Sequence, residues 1–128
     1  AMKLESAALS GRDVLGLKPV IHNDTLVTTN LLDVIFENTT RASVNDLAYS
    51  AHAYLANVVA SLAIKSALAF GVKNVGFSGG AACNQILAKM IREAVEAANL
   101  RFFAHESLPA GDGGISFGQA VVAGFSSF

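Results

Sequence analysis

A chain of 128 residues, 52% hydrophobic and 15% charged, has the size of one domain, and residues 1–128 are expected to form a single one with a sizeable core. Nine basic against ten acidic residues give a formal charge of −1 without any Lys/Arg run, so DNA and RNA are not expected as direct partners. Cys83 stands alone, which excludes an intrachain disulfide and a cysteine-based metal cluster and fits a reducing, cytoplasmic setting.

In chain order, Ala1-Met2 opens directly inside a helix-like stretch, "MKLESAALS", with no capping residue before it. That opening, with the high apolar fraction, suggests a piece of something larger. Gly11, Gly16, Pro19 and the Asn23-Asp24 pair then break the pattern, predicting a loop with a short extended piece near Pro19 to His22. After Asn30, the positions Leu31, Leu32, Ile35 and Phe36 recur at helical spacing and Asn38-Thr39-Thr40 can end a short amphipathic helix. Ser43 and Asp46 have capping-box spacing. From there Leu47, Ala51, Tyr54, Leu55, Val58 and Leu62 repeat every three or four residues until Gly71, a helix-stopping position, so the longest helix and the scaffold lie here. No apolar run is read as long enough to span a membrane and no signal peptide is read at the start, so a soluble chain without a membrane partner is expected.

"NVGFS" and "RFFAHE" are short apolar runs that suit buried parallel strands. With the helix between them they predict a right-handed crossover, and "GGISFGQAVVAGF" predicts a last, small-residue helix packed on the sheet.

The chemistry concentrates at two glycine turns. A helix N-terminus has unpaired N–H groups and partial positive charge, and Gly79-Gly80 would let a phosphate reach it because neither carries a Cβ. Asn84, one turn into that helix, offers a donor and an acceptor to a ribose or base. A tight turn that needs glycine for geometry alone is the alternative, and the absence of a following Lys-Ser/Thr makes this weaker than a full phosphate loop. In "LPAGDGGISFGQA" the Asp112 carboxylate either projects into a cleft beside the first turn or caps the following helix, roles that can coexist. Both turns follow strand C-termini, where ligands of open α/β sheets gather. His22, His52 and His105 are not at metal-ligand spacing, so no histidine metal site is expected, and His52 reads as a packed helix residue. Cys83, in the first turn of the Gly-Gly helix, could be activated by the helix dipole but reads as filler.

"SGGAACN" followed by a helix and "FFAHESLPAGDGGISFGQAV" together resemble the C-terminal part of the HypF carbamoyltransferase family. The matching positions are Ser78, Gly79, Gly80 and Asn84, then Pro109, Asp112, Gly113, Gly114, Ile115, Gly118, Gln119 and Ala120. "AMKLESAA" and the long helix agree more loosely. The resemblance implies an α/β, ribonuclease-H-like lobe of the actin and sugar-kinase superfamily, helix-rich with a small, mostly parallel sheet. It implies that two lobes clamp a nucleotide, with Ser78, Gly79, Gly80 and Asn84 touching ATP or carbamoyl-adenylate. Asp112 would be one ligand of a divalent metal whose histidine ligands sit in a preceding lobe absent here. Gly111 stands where the family usually has Asn. The implied reaction is carbamoyl transfer to the C-terminal cysteine of a HypE-like acceptor during nickel-iron hydrogenase maturation, and the chain alone is expected to be inactive. Two other readings stay open: a lobe of a tRNA threonylcarbamoyl-type enzyme, and a non-catalytic nucleotide-binding or assembly module of the same fold.

Overall fold

The computed structural model describes residues 2–23 and 25–125. The expectations that touch Ala1 and Asp24 lie outside these described residues. Five α-helices and four short strands follow one another: α1 (Met2–Ala8), β1 (Ile21–His22), β2 (Thr25–Leu26), α2 (Thr29–Asn38), α3 (Val44–Phe70), β3 (Asn74–Phe77), α4 (Gln85–Ala97), β4 (Arg101–Ala104) and α5 (Ile115–Phe125), counted among the described residues.

The scaffold is α3, 27 residues long. It starts where the capping-box spacing put it: the Asp46 N–H donates to Ser43 Oγ (3.1 Å) and the Ser43 hydroxyl donates to Asp46 Oδ2 (2.8 Å). Asp46 Oδ1 also accepts the Arg12 N–H at 3.0 Å, tying the first loop to the helix start. At the far end Gly71 takes φ 66°, its N–H donates to Leu68 O, and Val72 N–H donates to Ala67 O, the paired bonds of a Schellman stop. By length and composition α3 could cross a membrane, which corrects the expectation that no such run exists. Here it serves as the central core helix, with apolar partners on two sides.

On one side Ala56, Ala60 and Ala67 let α4 approach closely, and Ile91, Val95 and Leu100 fill the seam with Val75, Phe77 and Phe102 from the strands. α4 presents Leu87, Ile91 and Val95 at intervals of four, the stripe a core-facing helix needs. On the other side Leu31 of α2 packs on Tyr54 and Val58, with Leu17 and Leu26 around them. The Tyr54 hydroxyl also organises the hairpin that the sequence suggested only as an extended piece. Beyond the pairs Ile21↔Leu26 and His22↔Thr25, Val27 N–H donates to Val20 O (3.0 Å). The return bond is bridged by Tyr54, whose hydroxyl accepts from Val20 N–H (3.3 Å) and donates to Val27 O (2.7 Å).

β3 and β4 pair in parallel, Asn74↔Arg101 through Phe77↔Ala104, with α4 between them in sequence. The expected helix-rich α/β lobe with a small parallel sheet is the fold found, with the antiparallel β1–β2 pair separate from that sheet. Two details differ. Burial along both strands alternates, so Val75, Phe77 and Phe102 face the core while Gly76 and Phe103 face out; the sheet is covered on one face, not two. And α5 buries none of its residues, leaving Ile115, Phe117 and Phe125 exposed, so it does not pack on the sheet as expected. A two-stranded sheet presents too narrow a face to cover a helix whose apolar residues are spread all round it.

The contacts of Asp46 give a pH-dependent prediction. The Ser43 hydroxyl, then the Arg12 N–H and the Arg12 charge, hold its carboxyl below the ordinary carboxylate value against a small opposing effect of burial. Its contribution to stability is therefore complete above the unfolded value of about 4 and is lost as the pH falls through the lower folded value. Asp46→Asn should be less stable than the parent at neutral pH and should converge with it in strongly acidic buffer. Urea titrations at stepped pH measure this; a gap that stays constant down to the acid end would refute the role of the charge.

Candidate functional site

Ser78 and Gly79 leave β3, and a 3-10 turn, Gly80–Cys83, separates them from α4. Gly79 has φ 94° and ψ 177°, a region open essentially to glycine alone. Its N–H donates to Ala110 O at 2.8 Å, which fastens the first glycine turn to the second. That second turn follows β4: Asp112–Gly114 form a 3-10 turn leading into α5, and a Cβ placed on Gly114 would stand 2.6 Å from Pro109 O. Between the turns lies an open cavity of about 350 Å³, lined by Ser78, Gly79 and His105 on one side and by the 109–112 loop with Gly114 and Ile115 on the other.

Of the five residues expected at the site, Ser78, Gly79 and Asp112 line this cavity. Gly80 lies beside it, its Cα 3.9 Å from where a Cβ on Gly111 would fall. Asn84 does not line the cavity, and its expected place one turn inside the helix is corrected. It is the N-cap of α4, not a residue one turn inside it: Oδ1 accepts the Leu87 N–H (3.0 Å), while Nδ2 lies 3.0 Å from Nε2 of the buried His52. His52 Nδ1 is 2.7 Å from Ala48 O, an acceptor, so the ring carries its proton on Nδ1 and receives the Asn84 amide at Nε2. Each end of the Asn84 amide thus makes one hydrogen bond inside the fold. The α4 N-terminus is equally occupied, because the Glu5 carboxylate of α1 accepts the Gln85 N–H at 2.8 Å. A carboxylate already sits at the positive end of this helix, so a phosphate at that dipole, as the glycine turn first suggested, would meet a like charge.

Asp112 caps no helix through its side chain; its main-chain oxygen takes the Ile115 N–H, and its carboxylate has no hydrogen bond among the described residues. The expected alternative of a helix cap is therefore not realised. His52 is the packed helix histidine expected. Cys83 is exposed at the end of the 3-10 turn, outside α4 and outside the cavity lining. Among the described residues no three His, Cys, Asp or Glu groups converge as a metal site. Asp112 alone does not satisfy a divalent cation, so the donors among the described residues do not make up a complete metal centre.

Sequence reading passed over two site-forming residues. His105 Nε2 is 2.9 Å from Ser78 Oγ. The signal was available: both strands end in step, so the residues after Phe77↔Ala104 are Ser78 and His105. Glu5 gave no such signal, because its partner lies 80 positions away.

Residues 1–119 match a family described as "Carbamoyltransferase, Kae1-like Domain, second subdomain", and the chain belongs to this family. Its relatives are HypF proteins. It is 31% identical over 125 residues to a probable carbamoyltransferase HypF of Methanocaldococcus jannaschii, covering 94% of this chain and 16% of that protein. A carbamoyltransferase HypF homolog of Cupriavidus necator is 28% identical over 91% of this chain and 30% of its own length. In structure, HypF of T. kodakarensis superposes with TM-score 0.86 at 42% identity, covering 97% of this chain and 16% of that one. A full-length HypF solved in the phosphate- and nucleotide-bound form superposes with TM-score 0.79 at 25% identity, over 95% of this chain and 16% of that one. The chain thus spans about a sixth of the first of these curated relatives and of both solved chains.

Proposed function

We propose that this chain supplies one wall of the nucleotide cleft of a HypF-type carbamoyltransferase, the Ser78–Gly80 turn and the Pro109–Gly114 loop taking the phosphate side of ATP or carbamoyl-adenylate. The observation that carries this reading is the junction of the two glycine turns around a cavity at the C-terminal ends of two parallel strands, where the Asp112 carboxylate makes no hydrogen bond among the described residues. Glycines at both turns let a phosphate enter the cavity between them without Cβ interference, apart from the α4 end that Glu5 occupies. The nucleotide-bound HypF of the same fold supports it.

The reaction proposed for the intact protein is carbamoyl transfer to the C-terminal cysteine of a HypE-like acceptor, toward nickel-iron hydrogenase maturation. The thiolate attacks the carbamoyl carbon, a C–S bond forms, and the bond to the adenylate phosphate breaks with AMP leaving. The part of this chain's residues is to hold and orient that phosphate. A divalent metal, if the intact protein uses one, takes most of its donors from outside this chain, with Asp112 contributing one carboxylate. A preceding lobe encloses the other face of the nucleotide, so the chain alone binds ATP weakly and transfers nothing.

Asp112→Asn in the full-length protein tests the reading. Carbamoyl transfer should fall roughly 10- to 100-fold, the scale of a contact to a charged group, while stability stays within about 0.5 kcal/mol as for an exposed site. Metal content should fall in parallel if the carboxylate is a ligand. Unchanged transfer and unchanged metal content would leave the Asp112 carboxylate without a role in the cleft and favour the assembly-module reading.

A further inference from the structure

We infer that His105 is a positioning residue for Ser78, fixing the serine hydroxyl as a hydrogen-bond donor to an anionic phosphate in the cavity between the two glycine turns. The inference rests on the proposed nucleotide reading and adds to it a residue that the motif comparison left out. Its basis is the parallel register. β3 and β4 end together at Phe77 and Ala104, so the next residue of each strand emerges at the same level and on the same side, and Ser78 Oγ meets His105 Nε2 at 2.9 Å. Both side chains line the cavity that Asp112 also faces, and both are exposed, so neither is there to fill a core.

A serine hydroxyl has one proton and two lone pairs. If that proton is given to His105, the oxygen turns only lone pairs toward an incoming anion, and the contact repels. If the Nε2–H of His105 donates to Ser78 Oγ, the hydroxyl proton is released toward the cavity and can donate to a phosphoryl oxygen. An anion therefore selects the second arrangement, and the imidazole acts through the serine without touching the ligand. The contrast with His52 is instructive: there Ala48 O holds the proton on Nδ1 and Nε2 accepts. At His105 no described residue is bonded to Nδ1, which leaves the ring free to carry its proton on the serine side.

The test is a double-mutant cycle on the full-length protein, read as ATP affinity by calorimetry. Ser78→Ala and His105→Phe should each weaken ATP by about tenfold, and the double variant should bind no worse than Ser78→Ala, because one residue works through the other. His105→Gln, which can place an N–H near the lost Nε2, should recover most of the affinity. Parent affinity in His105→Phe, an additive double variant, or no recovery with glutamine would each overturn the inference. If Ser78→Ala is also silent while Asp112→Asn weakens ATP, the pair has no role and the nucleotide reading stands. If all three are silent, the nucleotide reading itself fails.

Discussion

Replacing Tyr54 by alanine is expected to destabilise the fold by about 3–5 kcal/mol, the cost of emptying a large aromatic site in a core that cannot fully collapse around it. Tyr54 is 1% exposed and packs with Leu31 and Val58, so its ring joins α2, α3 and the hairpin. Its hydroxyl also completes the Val20–Val27 pair, and that share can be separated. Tyr54→Phe keeps the ring but leaves Val27 O and Val20 N–H short of their partner, which should cost about 1–3 kcal/mol. Urea unfolding of the three proteins gives both numbers. Equal losses for Phe and Ala would mean that the hydroxyl alone carries the effect and that the packing of the ring is worth nothing, against the core contacts described.

The second large effect is expected at Gly114, and it should appear in function more than in stability. A Cβ there would lie 2.6 Å from the Pro109 carbonyl oxygen, closer than carbon and oxygen can stand, and the obstacle is backbone, with no side chain to swing away. The loop must open, and it is this loop that forms one side of the cavity with Asp112. Because α5, which follows, buries nothing, little of the core is disturbed. Gly114→Ala in the full-length protein should therefore weaken ATP binding at least about tenfold, with a melting temperature close to the parent's. A large drop in melting temperature with intact binding would show that the loop is a structural clamp instead of a ligand wall.

Much of the fold could be read from local pattern. Ser43, Asp46 and Gly71 mark α3 because capping and left-handed stops depend on nearest neighbours. The strand pair was legible for a similar reason, as short apolar runs flank one amphipathic helix. Readings that depended on distant parts of the chain went astray. The α4 N-terminus looked open, yet Asn84 caps it locally while held by His52 of another helix, and Glu5, 80 positions away, takes the Gln85 N–H. The exposed outer sheet face and α5 were invisible for the opposite reason: apolar residues predict burial, and sequence does not say against what. At the cavity, Gly79 and Asp112 were singled out by residue type and position and Ser78 by the family resemblance, whereas His105 needed the strand register to join them.

The bond from Gln85 to Glu5 also orders events in time. It joins residues 80 positions apart, so α1 is made long before the helix whose end it neutralises. At a synthesis rate of roughly 5–20 residues per second, that interval is about 4–16 s. During it α1 can settle against α3 once α3 has emerged, while Glu5 still lacks the Gln85 N–H. The first helix therefore rests chiefly on α3, and its bond to the α4 end is added only once α4 is in place. A product that ends before Gln85 would lack this bond and leave its first helix held chiefly by α3.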